Sequence, residues 1–322
     1  MKMAGRFVFF AVLVAGWAVL TPGMASAQAG KCSNAITSCG CTIAAEGSYV
    51  VEGPLSAAQG LTGKQGCIDI SASNITLDVY YQITGPNFNG DCAYTPLPAP
   101  NGKTPKVKSG GAAYTGVGIH VLPGSKNAAI TFSEEYGICG WNYGAESEGS
   151  NASWNLIPAY YNNVGMLFLN ATGSSCTSCL FEGNITGLEI AGGSQNTIAG
   201  GYSLGNEQYG YWLNGTQENT ISYNNLYVNG IAGLYLGCSS KGNVNPAIPC
   251  SVATSENEVT QTILIENGKY GIATEKGGIG NRYLDNQSGY AGKYDFIDGN
   301  GNCVYNEYLD NTYNTKLPKC IQ

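Results

Sequence analysis

The chain has 322 residues, of which 43% are hydrophobic and 11% charged, with 46 glycines and a formal net charge of −7. An acidic chain with scattered lysines excludes a surface that recruits nucleic acid or anionic membrane. Its 12 cysteines all follow residue 27, and an even number in an exported chain argues for disulfides.

Residues 1–27 read as a signal peptide. Lys2 and Arg6 precede an apolar run from Phe7 to Leu20, and Ala25-Ser-Ala27 fits a cleavage site. That run is short for a membrane span and nothing later reaches its length, so no membrane span is expected and the mature chain should be secreted or periplasmic. Residues 28–60 show no repeat and are expected to form an N-terminal cap stapled by Cys32, Cys39, Cys41 and Cys67. Cys92 and Cys139 are further candidates. Residues 61–311 carry the repeating body, interrupted by a Pro-, Gly- and Lys-rich insertion at 84–112, and residues 312–322 are a polar tail.

The repeat is clearest in the middle of the chain. Gly187-Leu-Glu-Ile190, Gly210-Tyr-Trp-Leu213 and Gly233-Leu-Tyr-Leu236 recur every 23 residues, as do Asn196-Thr-Ile198 and Asn219-Thr-Ile221. A fixed period in this range marks a supersecondary unit stacked on copies of itself. Each unit holds short apolar–x–apolar runs of period two, separated by Gly and Asn clusters suited to sharp corners, and none is long enough for a helical repeat. Three short strands and three corners make one coil of a parallel β-helix, stacked at about 4.8 Å. Asn163, Asn184, Asn206, Asn229 and Asn267 precede the first strand of successive coils, where left-handed corner asparagines would stack as an amide ladder. The rung near Ile138 to Trp154 is irregular. Cys238 and Cys250 bracket an insertion, Cys303 and Cys320 are placed to pin the tail, and Cys176-Thr-Ser-Cys179 reads as disulfide-bonded in a surface loop.

On these residues the chain resembles the right-handed parallel β-helix proteins of the pectin-lyase-like superfamily, over roughly residues 60 to 311. The resemblance implies an all-β, single-domain solenoid and a polysaccharide or cell-surface glycan as partner. It does not supply a catalytic set: Asn196-Thr-Ile198 and Asn219-Thr-Ile221 carry Ile where the polygalacturonase-like pattern has Asp.

The middle residues of the first strands form one outward row: Asp69, His120, an unassigned rung, Leu167, Glu189, Trp212, Tyr235, Ala273 and Asp295. Glu189, Trp212 and Tyr235 are the expected substrate-binding residues, since aromatic faces beside a carboxylate suit sugar rings. Glu189, His120, Arg282 and Asp295 are the candidates for catalysis. Glu266 and Asp310, each between an apolar residue and an Asn, are expected to share a corner column at a spacing near the outer limit for paired glycosidase acids. Asp298, Asn300 and Asn302 alternate with glycines in a pattern that suits either a Ca²⁺ loop or a plain turn, and no other cofactor is implied. Two functions follow: an exported protein that binds polysaccharide along one face, as a lyase or glycoside hydrolase, or a non-catalytic structural or adhesive β-helix.

Overall fold

The computed structural model describes residues 30–57, 65–86, 88, 92, 115–133, 136–238 and 253–321. The expected signal peptide, Cys250 and most of the insertion at 84–112 lie outside them. The described residues wind into a right-handed parallel β-helix of about 10 turns, with no helices among them. Three parallel sheets, of 12, 11 and 9 strands among the described residues, run the length of the coil. One coil consists of Thr186–Ala191 in the first sheet, Thr197–Ala199 in the second and Tyr202–Leu204 in the third.

Period-two alternation sends one set of side chains inward. Met166, Phe168, Leu188, Ile190, Tyr211 and Leu213 from the first sheet meet Cys176, Ile198 and Ile221 from the second and Phe181 and Leu226 from the third in one continuous buried core. The glycines that mark the period are strand residues, not corners. A Cβ on Gly187 would sit 2.5 Å from the carbonyl oxygen of Gly210 in the next coil, so stacking at this column demands a bare backbone.

The corners use asparagine differently from the expectation. In the ladder between the third and first sheets, each amide oxygen accepts from the backbone and side-chain N–H groups of the coil before: Asn162 onto Asn184, Asn184 onto Asn206, Asn206 onto Asn229, and Asn229 onto Asn267. Asn162 replaces the expected Asn163, which donates to Asn142 instead. A second ladder runs through Asn196, Asn219, Asn257, Asn281 and Asn306. Except at Asn306, the left-handed residue is the one before the ladder asparagine, such as Tyr161, Val228, Glu266, Gln195 and Glu218. The turn therefore falls one residue earlier, and the asparagine keeps an ordinary backbone while its amide satisfies orphan N–H groups.

Residues 30–56, expected as a cap, themselves supply strands to all three sheets. Disulfides Cys32–Cys41 and Cys39–Cys67 tie them to the coil. Cys92 bonds Cys139, and Cys303 bonds Cys320, which anchors the tail where Lys316–Leu317 extends the first sheet. Cys238 is disulfide-bonded, its partner lying outside the described residues. Cys176 and Cys179 bond each other, but both are buried in the core rather than in a surface loop, because Cys176 occupies the inward column shared with Trp154 and Ile198.

Candidate functional site: an outward column of the first sheet

Strand register fixes the outward row as Asp69, His120, Glu146, Leu167, Glu189, Trp212, Tyr235, Ala273 and Ile297. Glu189, Trp212 and Tyr235 stand one above another, as expected. The unassigned rung contributes Glu146. Asp295 is not in the row: it pairs beside Gly271, two residues short of the row position that Ile297 takes. Its carboxylate instead accepts from the backbone N–H groups of Ala291, Asn314 and Thr315 and from the Thr315 hydroxyl, holding the tail.

The row is not the open shelf that alternation suggested. Glu146, Leu167, Glu189 and Trp212 are all 0% exposed. Trp212 packs at 5.3 Å from the Tyr209 ring and 6.5 Å from that of Tyr235, and its Nε1 donates to the Gly237 carbonyl at 2.7 Å. Tyr235 is half-buried, stacks on Tyr209 at 4.8 Å, and donates its hydroxyl to Glu275. Leu167 is enclosed by Val164, Leu169, Ala191 and Tyr143.

Polar groups gather at the N-terminal half of the row. His120, the only histidine, has Nε2 2.9 Å from Glu148 Oε1 and 4.0 Å from Glu146 Oε2, while its Nδ1 faces Asp69 Oδ1 at 3.6 Å. Asp69 is itself oriented by the Gly66 N–H. Burial alone would lower the His120 pKa, but the carboxylates of Asp69, Glu146 and Glu148 outweigh it and hold the imidazole above its ordinary value. Across Leu167 lies Glu189. Burial pushes its carboxyl up to about 7, against one hydrogen bond from the Asn214 amide. Tyr143, on the same face, is pushed up to about 12 by burial first and then by the charges of Glu146 and Glu189, so it is a neutral phenol within reach of both fields.

Other candidates fall elsewhere. Arg282 is exposed on the second sheet between Glu258 and Glu307, pairing with them at 2.9 and 2.7 Å, which makes it an ion-pair partner remote in topology from the row. Glu266 and Asp310 do not share a corner. Glu266 follows a third-sheet strand and Asp310 a second-sheet strand, and the corner neighbour of Asp310 is Asp285. Both Glu266 and Asp310 are left-handed corner residues. Asp298 accepts from the Asn300 N–H and amide, the Asn306 amide and the Tyr308 hydroxyl; Asn300 Oδ1 accepts from the Gly277 N–H, and Asn302 Oδ1 from the Val304 N–H. The oxygens of the proposed Ca²⁺ loop are thus engaged by donors, the arrangement of a plain turn.

No protein-family model matches the chain, and neither does any curated protein. Among solved structures, the Dettilon tailspike protein superposes with a TM-score of 0.59 at 14% identity, covering 87% of this chain. This chain spans about half, 52%, of that tailspike chain. An Azotobacter vinelandii mannuronan C-5 epimerase A-module superposes with a TM-score of 0.49 at 13% identity over 84% of this chain and 80% of its own. The pectate lyase Pel9A gives 0.41 at 10% identity over 88% and 71%. The tailspike likeness shows a shared fold.

Proposed function

We propose that this chain is an exported polysaccharide hydrolase working on the first-sheet face between His120 and Glu189. The observation that carries the reading is Glu189, a buried carboxyl held near pH 7 in the same outward column as Glu146. A carboxylic acid that keeps its proton near neutral pH can protonate a leaving oxygen, and a second carboxylate can activate water. Two coils separate the backbone positions by about 9.6 Å, near the upper end of the spacing that inverting glycosidases place between their two carboxyls. In this reading Glu189 is the acid, and Glu146 with its His120–Glu148 neighbours is the base. A polymer of sugars is the substrate class that the pectin-lyase-like resemblance implies. The five disulfides among the described residues favour an oxidising compartment.

A second reading, a non-catalytic structural or adhesive coil, is favoured by the full burial of Glu189 and Trp212. Incubating the chain with a panel of neutral and uronic-acid polysaccharides separates the two. New reducing ends, lost in Glu189→Gln, support hydrolysis. Absorbance of an unsaturated product would mean lyase chemistry, and no product from any polymer would leave the structural reading standing.

A further inference from the structure

We propose that His120, Glu146 and Glu148 form a binding site for a transition-metal dication of the Zn²⁺ type. One nitrogen and two carboxylate oxygens converge, all within 4.8 Å of one another. Tetrahedral ligands at bonds of about 2.1 Å lie roughly 3.4 Å apart. The separations from His120 Nε2, 2.9 and 4.0 Å, straddle that value, so small rotations of two glutamates complete the set.

Asp69 supplies a second, independent feature. Its carboxylate faces the other ring nitrogen, Nδ1, at 3.6 Å and is braced by the Gly66 N–H. In the metal-free chain Nε2 donates its proton to Glu148 at 2.9 Å; a metal ion would displace that proton, and the carboxylate behind Nδ1 favours keeping the remaining proton on that nitrogen. Ring orientation is thus set before any ion arrives, and binding releases the Nε2 proton. An imidazole nitrogen beside carboxylate oxygens favours Zn²⁺ over Ca²⁺ or Mg²⁺, which prefer oxygen alone. The group is largely buried but not sealed: the side chains of Asp69 and Glu148 keep 13% and 16% exposure, an entry path on the outer side. The site shares its place with the proposed hydrolytic face, and it would supply a bound water there. The cation is measured without any glycan, so failure of either proposal leaves the other intact.

The chain's single histidine makes the test direct. An untagged, ¹⁵N-labelled chain is titrated with ZnCl₂, and the imidazole nitrogens are followed by NMR together with calorimetry. The expected result is one Zn²⁺ per chain, with Nε2 shifting to a metal-bound position and Nδ1 staying protonated. Glu148→Gln should weaken binding, and Asp69→Asn should weaken it about 10–100-fold as a positioning residue. CaCl₂ should leave the imidazole unmoved. No Zn²⁺ response of the imidazole overturns the proposal, as does calorimetric binding that Glu148→Gln and His120→Gln both leave unchanged in folded protein.

Discussion

Glu146 and Glu189 occupy one outward column of the first sheet, two coils apart, with the buried Leu167 between them. The stacking of the coil sets this relationship, because residues far apart in sequence share a row only when each intervening turn keeps register. Tyr143 responds to both charges, so the two acids act on one patch of the face.

Replacing the proposed acid should therefore disable the chemistry while sparing the fold. Glu189→Gln keeps shape and the hydrogen bond from Asn214 but cannot deliver a proton. Hydrolysis, read as reducing ends, should fall about 10²–10⁴-fold, with an unchanged circular dichroism spectrum. In the wild type, activity should decline as pH rises through the Glu189 value of about 7, since the acid is then lost.

Trp212 should behave as packing. Trp212→Ala opens a cavity beneath Tyr209 and Tyr235 and removes the donor to Gly237. A loss of about 3–5 kcal/mol is expected, measured by denaturant unfolding.

The ladder through Asn206 should be costly to interrupt. Its oxygen accepts two bonds from Asn184, and its amide donates to Asn229, Ser203 and Phe181. Asn206→Ala removes the acceptor of the buried Asn184 N–H groups and the donor to the Phe181 carbonyl on the preceding coil. The expected loss is about 2–4 kcal/mol, larger than for Asn163→Ala, which lies outside the ladder and donates only to Asn142.

A pH dependence of stability should arise at Glu182. This side chain is 1% exposed in the third sheet between Tyr160 and Leu204, with neither oxygen hydrogen-bonded among the described residues. Burial raises its carboxyl from 4.5 to about 7. The folded state thus holds a proton that the unfolded chain releases near 4.5. Its contribution is most favourable below pH 4.5 and declines as pH rises towards 7. Glu182→Gln should match the wild type in acid and exceed it above pH 7, by on the order of 3 kcal/mol, measured by urea unfolding at both pH values.

Much of this fold was legible because a stacked coil repeats its own sequence. Gly187, Gly210 and Gly233 keep a 23-residue step, and that step alone places Glu189, Trp212 and Tyr235 in one row, as the strand register has them. The rung at Tyr143–Ser147 was missed because its inward positions hold Ala145 and Ser147 where neighbouring coils hold Met166, Phe168, Ile119 and Val121. The echo of Gly187-Leu-Glu189 in Gly144-Ala-Glu146 was the available signal. At the last coil, Asp295 stands where earlier coils have Gly, so the row slips by two residues when counted from it. Exposure was misjudged for a more general reason. Alternation tells which side a residue faces, but not that Tyr209, from a neighbouring column of the same strand, and Tyr235, from the next coil of the row, fold over Trp212.

The most direct test is a titration of the Glu189 carboxyl itself, by ¹³C NMR of selectively labelled glutamate assigned with Glu189→Gln. A midpoint near 7 supports a buried, proton-retaining acid in the first-sheet column. A midpoint in the ordinary carboxylate range, about 4.3, would mean that the side chain is solvated and that this face holds no poised acid.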